Sequence, residues 1–180
     1  MKKVLVVLIA LLCLVGITNA QSKFGVSVQG AASLPMGDFE KIVKMGMGGL
    51  ATVTYDLGNN LELVGTTGYV TYSQKDIIIF GATITGSTSL IPAIAGIRYY
   101  FAPKNFRPYV TAQGGLFLCS VKAEAMGISN SDSKSYFGFH GGGGFLYKLG
   151  NKMDLDVNAI YGSVSDISYV TIAAGLHFAL

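Results

Sequence analysis

The chain has 180 residues, with 13 Lys and Arg against 10 Asp and Glu. Hydrophobic residues make up 51% of the chain and charged residues only 13%, a balance that is unusual for a soluble domain. The small net charge and the lack of any basic run give no indication of nucleic-acid binding, and the length is that of one domain.

Residues 1–20 have the pattern of a secretory signal peptide. Lys2 and Lys3 form a positive start, residues 4–15 form an apolar run, and Ala20 is a small residue at the cleavage position. The apolar run is short for a helix that spans a membrane, which needs about 20 residues. A membrane anchor and a lipoprotein cut before Cys13 both fit less well. We therefore expect export, with cleavage after Ala20, and a barrel domain over residues 21–180.

Eight segments of this domain alternate apolar with polar or small residues. Successive side chains of a strand point to opposite faces, so each segment has one apolar face and one mixed face. In the seventh segment, for example, Leu155 and Val157 alternate with Asp154 and Asp156. The predicted strands cover residues 23–33, 47–57, 61–73, 88–101, 108–121, 135–148, 153–163 and 168–180.

An all-β, eight-stranded antiparallel up-and-down transmembrane β-barrel explains this pattern, with apolar residues facing lipid and polar residues facing the lumen. Beyond residue 20 no apolar stretch is long enough for a spanning helix. Such a chain can cross a bilayer only as a closed barrel, because every backbone group then finds a partner on a neighbouring strand.

The predicted connections alternate in length. Those at 34–46, 74–87 and 122–134 are long, and those at 58–60, 102–107 and 149–152 are short. Outer-membrane barrels have longer extracellular loops and short periplasmic turns, so both chain termini should lie in the periplasm. The apolar run at 77–80 could instead extend its neighbouring strands as a hairpin. Pro92 cannot donate to a strand ladder, which predicts a bulge there.

Two stretches carry a resemblance to a known family. GIRYYF at 96–101, a short turn, and RPYVTAQGGL at 107–116 resemble the central hairpin of the OmpA/OmpX-like eight-stranded outer-membrane barrels. GVSVQGAASLPMGDF at 25–39 resembles the first strand and loop of that family. The resemblance covers essentially all of 21–180. It implies recognition by the barrel-assembly machinery, which usually reads a final aromatic residue; here either Leu180 or Phe178 would serve.

The candidate site is a set of charged residues predicted to point into the lumen. Side chains nearly fill an eight-stranded barrel, and an isolated buried charge is very costly, so these groups should pair into a structural plug. We expect Arg98 to pair with Glu62 and with Asp154 or Asp156. A proton or ion path and a catalytic carboxylate pair are the alternatives. The predicted plug residues are Asp56, Glu62, Arg98, Lys148, Asp154, Asp156 and His177.

No residue pattern indicates an enzyme, a metal or a cofactor. Some outer-membrane barrels are deacylases, and a resemblance to them would require a His followed two residues later by Ser. His140 precedes two glycines and His177 precedes Phe178 and Ala179. The glycines at 141–144 are followed by no helix and no Lys-Ser/Thr pair, so they do not form a phosphate loop. We expect them to make room for a long side chain, and we expect Cys119 to be a packed residue.

The sequence thus predicts a small non-enzymatic protein of the Gram-negative outer membrane, with a role in the envelope or in interactions of its surface loops. A narrow channel for small solutes and a soluble lipocalin-type barrel are the alternatives; the latter would reverse the two faces. The expected partners are outer-membrane lipid and the barrel-assembly machinery, with no nucleic acid. The chain should be a monomer, and the sequence does not identify a loop partner.

Overall fold

The computed structural model describes residues 23–75, 77–79, 82–102, 104–125 and 128–180. The predicted signal peptide and its cleavage position lie outside these residues. Within them, no helix is long and apolar enough to span a membrane.

The described chain is almost entirely strand, broken by one short helix, α1 (Asp38–Ile42). The turn from β2 to β3 contains Asn59 and Asn60, which both have positive φ, a backbone conformation that asparagine tolerates. The strands are β1 (Phe24–Met36), β2 (Val43–Gly58), β3 (Leu61–Gln74), β4 (Ile77–Ile79), β5 (Ala82–Tyr100), β6 (Phe106–Ala125), β7 (Ile128–Lys148), β8 (Met153–Val164) and β9 (Ile167–Ala179).

Eight long strands form a closed antiparallel ring. Sequence neighbours pair in order, β3 pairs with β5, and β1 closes the ring by pairing with β9, from Gly25 opposite Ala179 onward. The short β4 pairs only with the start of β5. This confirms the prediction of an eight-stranded up-and-down barrel, since closure leaves each strand paired on both sides over most of its length.

The alternation of the sequence sets the two faces of the barrel. Apolar residues such as Val28, Leu63 and Ile97 are exposed on the outside, whereas Ser27, Thr52 and Thr54 are buried inside. Apolar side chains outside and polar side chains inside are the reverse of a soluble lipocalin-type barrel.

Several predicted strand boundaries are wrong because the strands continue well past the alternating segments. Most described residues of 34–46, 74–87 and 122–134, predicted as loops, belong to strands or to α1. The run at 77–79 does form a hairpin with β5, as its alternative interpretation predicted. The predicted bulge at Pro92 is absent, because Pro92 faces Phe117 in an unbroken register.

We call the end that carries Phe24, Ala179 and the turns at 59–60 and 149–152 the terminal end. The opposite end, with α1 and the turn at 165–166, is the distal end. The inward side chains form two layers of different chemistry. Charged and tyrosine side chains fill the lumen near the terminal end, and apolar side chains fill it near the distal end.

Candidate functional site: the filled lumen

The buried pair Arg98 and Asp156 lies at the centre of the layer near the terminal end. Arg98 on β5 reaches across the lumen, so that its Nη1 lies 3.8 Å from Oδ2 of Asp156 on β8. Arg98 is 3% exposed and Asp156 is fully buried. Tyr109 completes the arrangement. Its ring lies 4.1 Å beneath the Arg98 guanidinium, and its hydroxyl donates to Asp156 Oδ1 over 2.7 Å.

Glu62 reaches Arg98 through a tyrosine. Glu62 and Arg98 are directly opposite each other on β3 and β5. Arg98 Nη1 donates to the Tyr100 hydroxyl over 3.3 Å, and that hydroxyl donates to Glu62 Oε2 over 2.9 Å. The sequence interpretation placed Glu62 in direct contact with Arg98 and did not include Tyr100.

Asp154 pairs with an arginine that the sequence analysis placed in a turn. Arg107 at the start of β6 forms an ion pair with Asp154, and its guanidinium also lies 5.4 Å from the Tyr100 ring. Because residues 102–107 were predicted to be a turn, Arg107 was not included among the inward residues. The signal was present, because Arg107, Tyr109, Thr111 and Gln113 continue one alternation.

His177 belongs to the same layer, because Ser27 links it by hydrogen bonds to Asp156. Its Nδ1 lies 2.9 Å from Ser27 Oγ, and Ser27 donates to Asp156 Oδ2 over 3.1 Å. These three residue types also make up hydrolytic triads. In a triad, however, the histidine lies between the acid and the serine, whereas here the serine lies between the acid and the histidine. Ser27 is also fully buried, so this geometry favours a structural role for the three residues.

Two predicted plug residues lie outside the layer. Asp56 is exposed at the end of β2, where its Oδ1 accepts a hydrogen bond from the backbone N–H of Gly58 over 2.7 Å. Lys148 is exposed at the end of β7. Both have the inward phase, but they sit at the mouth of the barrel, where water solvates the charge and no buried partner is required.

Of the glycines at 141–144, Gly144 makes room for the side chain of Tyr109. Gly144 faces Tyr109 across the β6–β7 ladder, and a Cβ built on Gly144 would lie 2.8 Å from the Tyr109 hydroxyl oxygen. At Gly141, which faces outward, an added Cβ would meet nothing within 4 Å. A long side chain therefore crosses the lumen above a glycine, which the sequence analysis expected without identifying the tyrosine.

A cavity of about 30 Å³ lies in the middle of the lumen, where the charged layer gives way to neutral polar side chains. Three buried polar atoms of its lining, Arg98 Nε, Gln113 Oε1 and Asn158 Oδ1, have no protein hydrogen-bond partner. A space of this size holds about two water molecules, and these atoms supply both donor and acceptor positions. The cavity is far too small for a solute path.

The distal layer is apolar, which the sequence analysis did not predict. Val70, Tyr72, Leu90 and Phe117 pack inside the barrel, and α1 inserts Phe39 against Tyr72 with ring centroids 5.1 Å apart. The polar atoms of the buried aromatic side chains find hydrogen-bond partners within the barrel. The Tyr72 hydroxyl bonds to Ser33 over 2.7 Å, and His140 Nε2 lies 2.8 Å from the Tyr169 hydroxyl. Cys119 is buried in this layer, as a packed residue.

Among the described residues, no group of three or more His, Cys, Asp or Glu side chains could hold a metal ion. The ionisable groups of the lumen bond to one another across several strands. Their arrangement joins opposite sides of the barrel and fills its cross-section between the terminal mouth and the central cavity.

Comparisons with known proteins agree with this architecture. Solved structures with the same fold include Ail of Yersinia pestis, in complex with the heparin analogue sucrose octasulfate (TM-score 0.65, 16% identity, 88% of this chain and 99% of that chain). Neisserial surface protein A is also similar (TM-score 0.61, 18% identity, 88% and 98%). OprG from Pseudomonas aeruginosa follows (TM-score 0.52, 13% identity, 87% and 95%). A search of curated proteins finds no match.

The sequence itself matches one protein family over residues 5–178, nearly its whole length. That family is described as the outer membrane protein beta-barrel domain. The outward apolar residues, the inward polar residues near the terminal end and the closed ring are features of such a domain. The chain therefore belongs to the outer membrane protein beta-barrel family, and its location is the outer membrane.

Proposed function

We propose that this protein is a non-enzymatic, sealed outer-membrane barrel that binds other polypeptides through a strand edge at its distal end. The observation that carries the proposal is a run of β7 that, among the residues the structure describes, has a strand neighbour on one side only. Over residues 128–137, β7 pairs with β6, from Ala125 opposite Ile128 to Leu116 opposite Phe137. On its other side the pairing with β8 begins at Gly138.

Strand lengths support a projecting edge. A transmembrane strand needs about 9–11 residues to cross a bilayer. β6 has 20 residues and β7 has 21, whereas β8 has 12 and β9 has 13. The surplus of β6 and β7 lies at the distal end, beyond the point at which β8 ends. One side of the barrel therefore extends about ten residues farther than the other.

The chemistry of this edge suits an extended polypeptide. Exposed strand edges offer a row of backbone donors and acceptors to which another strand can add. Residues 132–137 are all exposed. A charge on an edge discourages pairing, but here Lys134 Nζ lies 3.7 Å from Asp132 Oδ2, so the two charges offset each other.

The proposal requires the distal end to face the outside of the cell and the terminal end to face the periplasm. Cleavage of a signal peptide after Ala20 would place the new N-terminus at the terminal end, directly before β1. Epitope tags inserted at Asn130 and at Asn59 test this orientation. On intact cells only the tag at Asn130 should be accessible to antibody, and accessibility of the tag at Asn59 alone would reverse the orientation.

A sealed lumen and a non-enzymatic role are supported by the same geometry. Both layers of the lumen are filled, and the Asp156–Ser27–His177 chain is almost completely buried. These contacts favour an interaction role over transport or hydrolysis.

Hydrogen exchange of the protein in nanodiscs tests the proposed edge. In an edge strand, alternate backbone N–H groups point to the neighbouring strand and to solvent. In the free protein, every second amide of 128–137 should exchange rapidly. Peptides selected from a displayed library of unstructured sequences should slow the exchange of those same amides when they bind.

The control is the same measurement on a variant in which one residue of 133–135, the one whose amide exchanges rapidly in the free protein, is replaced by proline; this removes a donor from the free edge and keeps the β6–β7 ladder donors. Selected peptides should lose their binding to this variant. Failure to select any peptide, or protection of amides elsewhere on the barrel, would contradict the proposal.

A further inference from the structure

We infer that the mouth of the lumen at the terminal end is a binding site for phosphate-bearing anions. A cavity of about 370 Å³ opens there, above the Arg107–Asp154 ion pair. This is within the range of small-molecule sites, roughly 300–1,000 Å³. The inference is independent of the strand edge at the opposite end.

Four cationic side chains from separate segments converge on this cavity. Lys104 lies in the turn between β5 and β6, Arg107 at the start of β6, Lys148 at the end of β7 and Lys152 in the turn to β8. The β6–β7 ladder brings the strand ends together, because Phe106 faces Tyr147 at the same level. The barrel thus collects charges that lie up to 48 positions apart in the sequence.

These charges are not neutralised by the protein. Asp154 is the one acidic residue of the cavity lining, and Arg107 already occupies it. Among the described residues, Lys104, Lys148 and Lys152 form no ion pair. Four cations against one carboxylate leave the cavity with a net charge of +3. Residues 21–180 carry only 11 basic against 10 acidic residues, so the excess is local.

The composition of the lining favours phosphate over a single carboxylate. Three unpaired lysines around one space match a group that carries two or more negative charges, and lysine binds phosphate as a point charge from several directions. The amides of Asn105 and Asn151 add neutral hydrogen-bond donors. The ligand class is therefore a phosphomonoester, a pyrophosphate or a pair of phosphodiesters.

Such a group has two sources, a lipid headgroup or a soluble phosphate compound. The cavity opens at the level of exposed aromatic side chains, since Phe106 and Tyr147 lie next to Arg107 and Lys148 in the chain but point outward. Aromatic residues of outer-membrane barrels mark the interface with the headgroups. The mouth also opens directly to the aqueous phase.

The test is titration of the purified protein with inorganic pyrophosphate in nanodiscs of zwitterionic lipid, followed by calorimetry. We expect saturable binding that weakens as salt is raised, because screening reduces attraction at exposed sites. The variant K104Q/K148Q/K152Q should bind at least ~10-fold more weakly. The variant K41Q/K75Q/K134Q removes the same charge at the distal end and should bind like the unaltered protein.

A second set of nanodiscs with anionic phospholipid separates the sources. If the headgroups occupy the site, anionic lipid will weaken pyrophosphate binding by the unaltered protein far more than binding by K104Q/K148Q/K152Q. If the ligand is soluble, the change from zwitterionic to anionic nanodiscs will lower the affinity of the unaltered protein and of both variants by the same factor. Absence of saturable binding in zwitterionic nanodiscs would overturn the inference. Equal loss of binding in both triple-lysine variants there would also overturn it, because the site would then be a general effect of net charge.

Discussion

Tyr109 holds Asp156 from across the lumen, with its hydroxyl 2.7 Å from Oδ1 of the carboxylate. Both residues are almost completely buried. The contact joins β6 to β8 without passing through the ladder, so it ties together strands that are not neighbours. A hydrogen bond to a buried charged group contributes more than a neutral one, which makes this contact a sensitive probe of the layer.

The first prediction concerns that hydrogen bond. Tyr109→Phe keeps the ring beneath Arg98 but removes the donor to Asp156. We expect the free energy of unfolding to fall by about 1.5–3 kcal/mol, the usual contribution of a hydrogen bond to a charged group. Urea unfolding in lipid vesicles measures this. Tyr147→Phe, at an exposed outward tyrosine of the same end, is the control and should change stability little.

The second prediction concerns Arg98. Arg98→Ala should cost about 3–5 kcal/mol, because it leaves Asp156 buried without its cation. Adding Asp156→Asn should recover part of that loss. Adding Glu62→Gln should recover less, since Glu62 is reached through the Tyr100 hydroxyl and is only half-buried. Double-mutant cycles measure the coupling of Arg98 to Asp156 and to Glu62 separately. Equal stability of Arg98→Ala and the unaltered protein would rule out a structural plug.

The third prediction uses two glycines of one run. Gly144→Ala places a methyl group against the backbone oxygen of Val157, 2.7 Å from Asn158 Cβ and 2.8 Å from the Tyr109 hydroxyl oxygen, so overpacking should cost about 1–3 kcal/mol. Gly141→Ala meets open space and should be nearly neutral. Equal effects of the two substitutions on unfolding would show that β8 and Tyr109 do not pack closely against the inward side of Gly144.

The fourth prediction concerns the outer face. Val157→Arg should destabilise the barrel by about 2–4 kcal/mol near the bilayer midplane, because the charge would then face lipid. Single cysteines at 156 and 157 give a second measurement. A lipid-soluble thiol reagent should label position 157 and spare position 156, and the opposite pattern would mean that the two faces are exchanged.

The fifth prediction is electrical. The unaltered protein should show negligible conductance in planar bilayers, since ion pairs fill one layer of the lumen and apolar side chains the other. Arg98→Ala should remain closed as well, because the distal layer is untouched. Stepwise single-channel currents from the unaltered protein would support the channel alternative instead.

The alternation of residues was sufficient to predict the strands, the closed ring and the two faces. It predicted Arg98 and Asp156 as inward residues because each lies in a clear run of alternating side chains. The expectation that Arg98 reaches Asp154 or Asp156 across the lumen rested on the same alternation, but sequence order does not show which side chains lie between paired groups. Thus Glu62 opposite Arg98 was anticipated, whereas the tyrosine between them was not.

The distal layer was missed for a different physical reason. Around Leu116, Phe117 and Leu118 both faces of β6 are apolar, so the pattern no longer distinguishes lipid from lumen. Strand ends were also underestimated, since beyond the membrane the outer face no longer needs to be apolar. The polar, turn-like composition of 128–134 therefore indicated a loop, although the backbone continues as strand.

The closing seam between β1 and β9 has a consequence for the folding pathway. Asp156 draws its partners from β1, β5 and β6, through Ser27, Arg98 and Tyr109. Ser27 and His177, 150 positions apart, meet only once the first and last strands have joined. Loop closure over such distances is entropically unfavourable and slow. In an open sheet within the membrane, the Asp156 carboxylate would lack some of its partners, which is costly for a buried charge. We therefore expect strand insertion and ring closure to occur together, as one late step of folding.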